Sequence, residues 1–179
     1  MQSTAVADLV TRAREGDPQA WDGLVERYLG MVHAICRGHR LGADDAADVN
    51  QVVWLRLVEH LSRIRSPAAV GGWIAATTRN ECLRMRRMSG RLVLTSDEDL
   101  DHEHEPGTGI DAGLLVYERD RALIDAFGRL GDRCQRLLRL LMADPPPSYD
   151  EVAAALDMPV GSIGPTRGRC LEQLRHLLG

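Results

Sequence analysis

The sequence contains no lysine, few aromatic residues and no long apolar run. All 22 basic residues are arginine, and the aromatic residues are three Trp, three Tyr and one Phe among 179 residues. Because sheets favour aromatic and β-branched side chains while Leu, Ala and Arg favour helices, an all-α fold is predicted. No segment approaches the roughly eighteen apolar residues that span a bilayer, and the N-terminal segment lacks the apolar core of a signal peptide. We therefore expect a cytoplasmic protein that contacts no membrane.

Motifs of catalysis and metal binding are also missing from the sequence. There is no Gly-rich phosphate loop, no HExxH and no nucleophile elbow, so we expect no catalytic residue, no cofactor and no enzyme activity. His33, Cys36 and His39 form an HxxCxxH run, but steps of three residues carry these side chains too far around a helix to share one metal. No CxxC spacing occurs, and reduced core thiols are expected for the four cysteines, Cys36, Cys82, Cys134 and Cys170.

The negative net charge of the chain comes from one segment. The formal charge is -4, yet seven of the 26 acidic residues lie between Ser96 and Tyr117, where there is no arginine. That segment is rich in Gly, Thr and Ser and has no apolar period, which is typical of a flexible linker. We predict two small helical domains, at 1–90 and 118–179, joined by an acidic linker at 91–117. Outside the acidic segment the chain is mildly basic.

The N-terminal domain is predicted to contain three helices. Asp17 is the expected N-cap of the first, with Pro18 in its first position. The second is expected to begin near Asp44, and the third covers Ala68 to Arg91. Apolar spacing predicts their buried residues: Trp21, Leu24, Val25, Tyr28, Val32 and Ile35 in the first, Ala46, Val49, Val53, Leu57 and Leu61 in the second, and Ile74, Thr78, Cys82 and Met85 in the third.

The outer sides of the second and third helices differ in chemistry. The third carries cations beside an asparagine, and Glu81 is its one acid between Trp73 and Leu92. Charged runs on helices are usually solvated faces, but a one-sided run of this density fits a phosphate backbone and an unpaired base edge. Its members are Arg79, Asn80, Arg84, Arg86 and Arg87. The second helix fits either a solvated surface or a docking face for another protein's helix, with Asp48, Gln51, Val52, Leu55 and Glu59 on that side.

The C-terminal domain contains a predicted helix-turn-helix. After a helix in RALIDAFGRL and one capped by Asp132, Ser148 and Glu151 form a capping box in SYDEVAAAL, and the turn DMPVG leads into a last helix. We expect Ser162 to be the N-cap of that helix, because Pro165 then takes its third position and forfeits no hydrogen bond. The outer face of this helix permits close approach of either DNA or a neighbouring helix. It carries Gly164, Pro165, Gly168, Arg169 and Glu172.

In order and spacing these segments resemble the extracytoplasmic-function sigma factors of bacterial RNA polymerase, over nearly the whole chain. The segment DPQAWDGLVERYLGMVHAICR is similar to the first helix pair of that family. The segments DDAADVNQVVWLRLVEHL and GGWIAATTRNECLRMRR are similar to its polymerase-docking helix and its minus-ten helix. The segment SYDEVAAALDMPVGSIGPTRGRCLEQLRHLL is similar to its minus-thirty-five helix-turn-helix.

The resemblance implies a two-domain protein that binds core RNA polymerase, at the clamp of the largest subunit and the flap of the second-largest, and directs initiation at promoter DNA. The loop from Arg63 to Gly72 would take a flipped base, and the acidic linker would follow the RNA path of the polymerase. The resemblance assigns polymerase docking to Asp48, Gln51, Val52 and Leu55, minus-ten binding to Arg79, Asn80, Arg84, Arg86 and Arg87, and minus-thirty-five binding to Ser162, Gly164, Pro165, Thr166, Arg167, Gly168 and Arg169. The sequence leaves open whether a separate anti-sigma factor binds the protein.

The chain departs from the family pattern at two places. Many relatives carry an acid at the position of Val52, so docking there should be less electrostatic. Relatives often show Lys-Ser-Arg-Leu-Ser-Arg where this chain runs from Gly164 to Arg169, so glycine and proline replace base-reading side chains. Arg169 keeps its place in the pattern, whereas Arg167 lies where an aliphatic residue is expected.

Two other classes of protein share parts of this pattern. A free-standing helix-turn-helix regulator would have the C-terminal motif, but normally beside a ligand-binding or dimerisation domain. A helical adaptor that binds only protein would leave the arginines of the third helix without a purpose. A sigma factor is distinguished from both by binding promoter duplex poorly alone and strongly with core polymerase.

Overall fold

The computed structural model describes residues 2–92 and 121–179, and nearly all of the predicted linker at 91–117 lies outside these ranges. The N-terminal half contains α1 (Gln2–Arg14), α2 (Pro18–Gly38), α3 (Ala43–His60) and α4 (Val70–Leu92), with two 3₁₀ turns, Leu61–Arg63 and Pro67–Ala69, between the last two. The C-terminal half contains α5 (helical over 121–128), α6 (Asp132–Leu141), α7 (Tyr149–Leu156) and α8 (Val160–Leu178). These two ranges hold no β-strand, which confirms the predicted all-α fold.

The starts predicted for α2 and α3 are confirmed, whereas α4 begins at Val70, two residues after the predicted Ala68. The Asp17 carboxylate accepts a hydrogen bond from the backbone N–H of Gln19 at 2.9 Å, and Pro18 is the first residue of α2. Arg12 of α1 forms an ion pair with the same carboxylate, at 2.6 Å, and its hydrogen bond lowers the pKa of Asp17. Helix α1 is not among the predicted helices, although Val6, Val10 and Ala13 recur at helical spacing and are buried against α2.

Two predicted caps in the C-terminal half are wrong. Asp132 is the first helical residue of α6, where its charge favours the helix N-terminus, and Gly131 is the N-cap. The N-cap of α8 is Pro159, and the backbone N–H of Ser162 already bonds to the Pro159 carbonyl at 2.9 Å within the first turn. Because α8 starts three residues earlier than predicted, Pro165 lies inside the helix. Its missing N–H leaves a carbonyl one turn back without the usual helical partner.

The expectation that all four cysteines are reduced is also wrong. Cys134 on α6 and Cys170 on α8 form a disulfide with their Cα atoms 5.4 Å apart. Their 36-residue separation hid the pair in the sequence, since only the packing of α6 on α8 brings them together. The two free thiols, Cys36 on α2 and Cys82 on α4, are buried with their sulfur atoms 3.8 Å apart. The disulfide therefore links α8, the second helix of the predicted helix-turn-helix, to α6.

The two halves of the chain pack against each other. Among the described residues α4 packs on α7, and α2 packs on both α1 and α6. One continuous hydrophobic core therefore includes residues from both halves, among them Val32, Ile74, Leu137, Val152 and Ile163, all fully buried. The domain boundaries stay a prediction, since the linker lies outside the described ranges.

Candidate nucleic-acid interface

The outer face of α3 mixes charge with exposed apolar groups. Asp44 and Asp45 in the first turn favour the N-terminus of this helix, and Val49, Val53 and Leu57 are its buried stripe. On the other side, Asp48, Gln51 and Leu55 are exposed and Val52 is half-buried, so all four predicted docking residues lie on one accessible face.

A groove of about 290 Å³ runs between this face and α4. Asp48, Gln51 and Val52 line its α3 side, while Arg84 and Met88 line its α4 side. Leu55 and Val58, which are more than half exposed, extend the apolar surface along α3. The groove thus places the predicted docking residues next to one of the predicted minus-ten residues.

Glu81 organises the arginines around this groove. Its side chain is buried, with the residue only 3% exposed. One carboxylate oxygen forms an ion pair with Arg56 of α3 at 2.8 Å, and the other forms an ion pair with Arg84 of α4 at 2.7 Å. A buried carboxylate is stable only when it is paired in this way. In the sequence Glu81 is the single acid in a basic run, and no pairing was predicted for it. Its role could have been inferred only from its position on the buried stripe, three residues after Thr78 and one before Cys82.

The cations of α4 occupy two different environments. Asn80, Arg84, Arg86 and Arg87 are exposed, and those four side chains are accessible to a phosphate backbone. The side chain of Arg79 is 22% exposed and forms an ion pair with Asp157, at 2.8 Å, in the C-terminal half. The structure therefore leaves four of the five predicted minus-ten residues exposed and places the fifth, Arg79, between the two halves.

The segment before α4 is more ordered than a loop. The two 3₁₀ turns fold most of it, and α4 begins at Val70, so Gly71 and Gly72 are helical rather than part of the predicted loop. Arg14 of α1 donates to the backbone carbonyls of Leu61 and Ile64, and His60 stacks on Trp73 with ring centroids 5.9 Å apart. These contacts hold the segment against α1 and α4.

The helix-turn-helix forms as predicted, with a different start for its second helix. The capping box is present, because Ser148 Oγ accepts from the Glu151 N–H and the Glu151 carboxylate accepts from the Ser148 N–H. Asp157, at φ 54° and ψ 55°, ends α7 in the left-handed conformation that Asp tolerates. Met158 and Pro159 then turn the chain into α8, whose buried side is Ile163, Thr166 and Cys170.

The outer face of α8 has little side-chain bulk. Gly161, Gly164, Pro165 and Gly168 are exposed, and a methyl group on any of the three glycines would meet no atom within 4 Å. Arg167 and Arg169 are exposed beside them. Two predicted minus-thirty-five residues lie elsewhere. The Thr166 hydroxyl is buried and accepts from Arg169, and the Ser162 hydroxyl donates to the Pro159 carbonyl at 2.7 Å.

His39 is a buried titratable group at the junction of the two halves. It is 4% exposed, and its Nδ1 has no hydrogen-bond partner among the described residues. Burial, followed by the charges of Arg136, Arg86 and Arg79, lowers the pKa of His39 to about 4. The imidazole is therefore neutral at pH 7 and belongs to the packing of α2.

The described residues do not support a metal centre or a membrane span. No group of three or more His, Cys, Asp or Glu side chains in 2–92 and 121–179 could hold a metal ion, and in the HxxCxxH run His33 is exposed while Cys36 and His39 are buried. No helix in the same ranges is both long and apolar enough to cross a membrane.

The chain is similar to known proteins in part of its sequence, over most of its length and in its fold. Residues 24–92, which include α3 and α4, match the model of sigma-70 region 2. The chain is 23% identical to the ECF RNA polymerase sigma-E factor of Haemophilus influenzae, over 94% of this chain and 92% of that protein. It is 26% identical to the sigma-E factor of Escherichia coli, over 87% and 84%.

A solved structure shares the arrangement of the helices. The structure of CnrH in complex with the cytosolic domain of CnrY matches with a TM-score of 0.62 at 20% identity, covering 97% of each chain. The basic face of α4, the helix-turn-helix of α7 and α8, and the sequence matches agree in their order along the chain. Over most of its length the chain is therefore similar to the extracytoplasmic-function sigma factors, with a match to sigma-70 region 2 at residues 24–92.

Proposed function

We propose that this protein binds core RNA polymerase and directs promoter-specific initiation of transcription by recognising minus-ten and minus-thirty-five elements. The observation that carries the proposal is the presence, in one chain that matches sigma-70 region 2, of an exposed basic face on α4 and an exposed helix-turn-helix face on α8. Each surface alone would fit many DNA-binding proteins. Their combination with an apolar and acidic face on α3 fits a subunit that joins a polymerase to a promoter.

The outer faces of α3, α4 and α8 each bind a different part of the polymerase–promoter complex. The α3 face, with Asp48, Gln51, Val52 and Leu55, docks on the clamp of the largest polymerase subunit, and the C-terminal half meets the flap of the second-largest. Exposed arginines of α4 bind phosphates near the minus-ten element, and Asn80 supplies a donor and an acceptor for a base edge. The protein acts by binding, with no chemical step of its own, and works in the cytoplasm where the polymerase is.

Recognition by α8 depends on few side chains. The exposed glycines remove the bulk that would hold the helix axis away from the groove, and Arg167 and Arg169 are the cations beside them. An Arg in the major groove reads guanine through its O6 and N7 atoms, or binds a phosphate. We therefore assign most of the upstream specificity to the two arginines and to DNA shape.

We also propose a protein partner that silences the factor. The solved structure with the same fold is a complex of CnrH with the cytosolic domain of CnrY. A separate anti-sigma factor for this chain would bind surfaces that the polymerase also needs, since both partners act on the same small protein. Co-purification with partner domains from the same genome tests this.

Run-off transcription with purified core polymerase on a set of genomic promoters tests the main proposal. We expect defined start sites that appear only when the protein is added. Stable binding to core polymerase without initiation at any promoter would contradict the proposal. Strong binding to promoter duplex without polymerase would instead favour a free-standing regulator.

The Arg169→Ala substitution tests the assignment on α8. Loss of one good base or phosphate contact costs about 1–3 kcal/mol, so we expect a roughly fivefold to hundredfold weaker holoenzyme affinity for the upstream element, with core binding unchanged. Electrophoretic mobility shift with holoenzyme measures it. The matched control is Arg175→Ala, an exposed arginine in the last turn of the same helix. Equal losses of DNA and core binding would show that the substitution disrupts folding rather than a DNA contact.

A further inference from the structure

A disulfide holds the second helix of the helix-turn-helix in place. Cys134 lies on α6 and Cys170 on α8, 36 residues further along the chain, and their Cα atoms are 5.4 Å apart. Cys170 directly follows Arg169, so the bond fixes α8 at the end of the segment that carries the exposed glycines and arginines. Opening or closing of this bond therefore acts on the part of α8 that faces outward.

The part of α8 before Cys170 has a low intrinsic helix propensity. Three glycines and a proline fall within 160–169, and they are Gly161, Gly164, Pro165 and Gly168. Glycine and proline are the least favourable residues in a helix. Packing does not require the glycines, because a methyl group on any of them would meet no atom within 4 Å. The segment therefore depends on tertiary anchors, which are Ile163 and Thr166 on its buried side and the disulfide at its end.

The two cysteine pairs of the chain differ in accessibility. Cys134 is half-buried, whereas Cys170 is 1% exposed. Cys36 and Cys82 are free thiols with their sulfur atoms 3.8 Å apart, and both are enclosed in the core. Thiol–disulfide exchange needs direct attack on a sulfur atom. Of the four cysteines, Cys134 is therefore the one that an external dithiol can reach.

The proposed place of action makes this disulfide unusual. RNA polymerase works in the cytoplasm, where thiol systems keep most cysteines reduced, and disulfides that form there are mostly transient or redox-sensing. A bond that can be reached through Cys134 is exposed to those systems. Its state then follows the balance between dithiols and oxidants around the protein.

We propose that the Cys134–Cys170 disulfide is a redox switch for recognition of the upstream promoter element. When the bond is closed, α8 is ordered for DNA binding. When the bond is open, the helix loses order over 160–169. The role in promoter recognition rests on the proposed function, whereas the redox-dependent order of α8 does not.

The opening step is an exchange with a dithiol, such as a protein of the thioredoxin type. A thiolate of the dithiol bonds to the Cys134 sulfur, the Cys134–Cys170 bond breaks, and Cys170 leaves as a thiolate that takes up a proton. The second thiol of the dithiol then loses its proton, attacks the mixed disulfide and releases Cys134 as a thiol. Two electrons pass to the protein, and the dithiol becomes a disulfide. Oxidised glutathione reverses the exchange and is itself reduced to two thiols.

The first test compares the full-length protein after equilibration with oxidised glutathione and with dithiothreitol. Thiol alkylation without denaturant, read by mass spectrometry, should label Cys134 and Cys170 only after reduction. Cys36 and Cys82 should stay unlabelled in both states. Hydrogen exchange in α8 over 161–170 should be about tenfold or more faster in the reduced protein, and exchange in α2 should not change.

Holoenzyme binding to a promoter fragment gives the functional readout. We expect reduction to weaken affinity for the upstream element about tenfold, with binding to core polymerase unchanged. The Cys134→Ala/Cys170→Ala double variant cannot form the bond and should bind weakly in both conditions. The matched control, Cys36→Ala/Cys82→Ala, removes the other pair and should keep the response to reduction. The comparison of the two states of the unmodified protein needs no substitution, so it decides the proposal even where a core substitution disturbs folding.

The outcomes separate the switch from the function. If the dithiol cannot reduce the native protein, the bond is purely structural and the proposal is wrong. Equal hydrogen exchange in α8 before and after reduction, or equal affinity for the upstream element, would also overturn it. If α8 responds to reduction but the holoenzyme initiates at no promoter in either state, the redox-dependent order of α8 stands and the proposed function falls.

Discussion

At the scale of single residues, burial assigns different roles to charged groups that look alike in the sequence. Glu81 and the exposed acids of α3 have the same chemistry, but only Glu81 is enclosed and paired with two arginines. Arg79 and Arg87 belong to one basic run, yet Arg79 faces Asp157 and Arg87 faces solvent. Their spacing along the helix is visible in the sequence. The pairing of Arg79 with Asp157 is not visible in the sequence, because the two residues are 78 positions apart.

His39 makes stability depend on pH. Its pKa in the folded protein, about 4, lies below the ordinary value of 6.5, so the unfolded chain takes up the proton first. The stabilisation is complete above pH 6.5 and is lost as the pH falls towards 4, by up to about 3 kcal/mol. Urea denaturation at a series of pH values measures the effect.

The His39→Gln variant supplies the comparison for this prediction. Because glutamine does not titrate, its curve of unfolding free energy against pH should be flatter than that of the unmodified protein between pH 6.5 and 4. Other titrating groups contribute equally to both proteins. Parallel curves would mean that His39 is protonated in the folded state or is accessible to water.

At the scale of helices, the sequence predicted α2, α3, α4 and α7 well and failed at the start of α8. Caps with strong local chemistry, such as Asp17 and the Ser148–Glu151 box, could be identified because their hydrogen bonds stay within a few residues. The start of α8 depends instead on the left-handed Asp157 and on Ile163 reaching the core. Both features depend on the conformation of the turn and on tertiary packing. Because proline is unfavourable inside a helix, Pro165 favoured the prediction of a later start, with Ser162 as the N-cap.

Substitution of alanine for two glycines of α8 should change the free energy of unfolding in different ways. Gly168→Ala should raise the free energy of unfolding by about 1 kcal/mol, because the helix gains propensity and the added methyl group meets nothing within 4 Å. Gly164→Ala should gain nothing or destabilise, because a Cβ before Pro165 disfavours the helical conformation. Urea denaturation of both variants compares them directly. Equal stabilisation by the two substitutions would show that Pro165 places no restriction on its neighbour.

At the scale of the whole molecule, two predicted domains share one buried core. The amphipathic stripes that define each half were visible in the sequence, but a second buried surface on α2 and α4 was not, since small residues such as Gly30 and Gly71 give no hydrophobic signal. The sequence therefore predicted the components of each surface and not their mutual packing. The same limit applies to the Cys134–Cys170 disulfide, which depends on tertiary contact alone.

Unfolding of the two halves should be coupled. All three tryptophans, Trp21, Trp54 and Trp73, lie in the N-terminal half, so their fluorescence reports on that half while far-ultraviolet circular dichroism reports on all helices. We expect the two urea transitions to coincide in the unmodified protein and to separate in Gly30→Ala. Separate transitions in the unmodified protein would contradict a shared core.

The packing of α4 on α7 also limits how tightly a partner can bind when it requires an open form, in which the two halves of the chain are apart. A ligand that binds only the open form has its apparent dissociation constant multiplied by one plus the ratio of closed to open molecules. Each 1.4 kcal/mol or so of interdomain stability therefore weakens apparent affinity about tenfold. A polymerase that binds only the open form would need more of the protein for saturation, the more firmly the contacts at Gly30, Gly71 and Asp157 hold the two halves together.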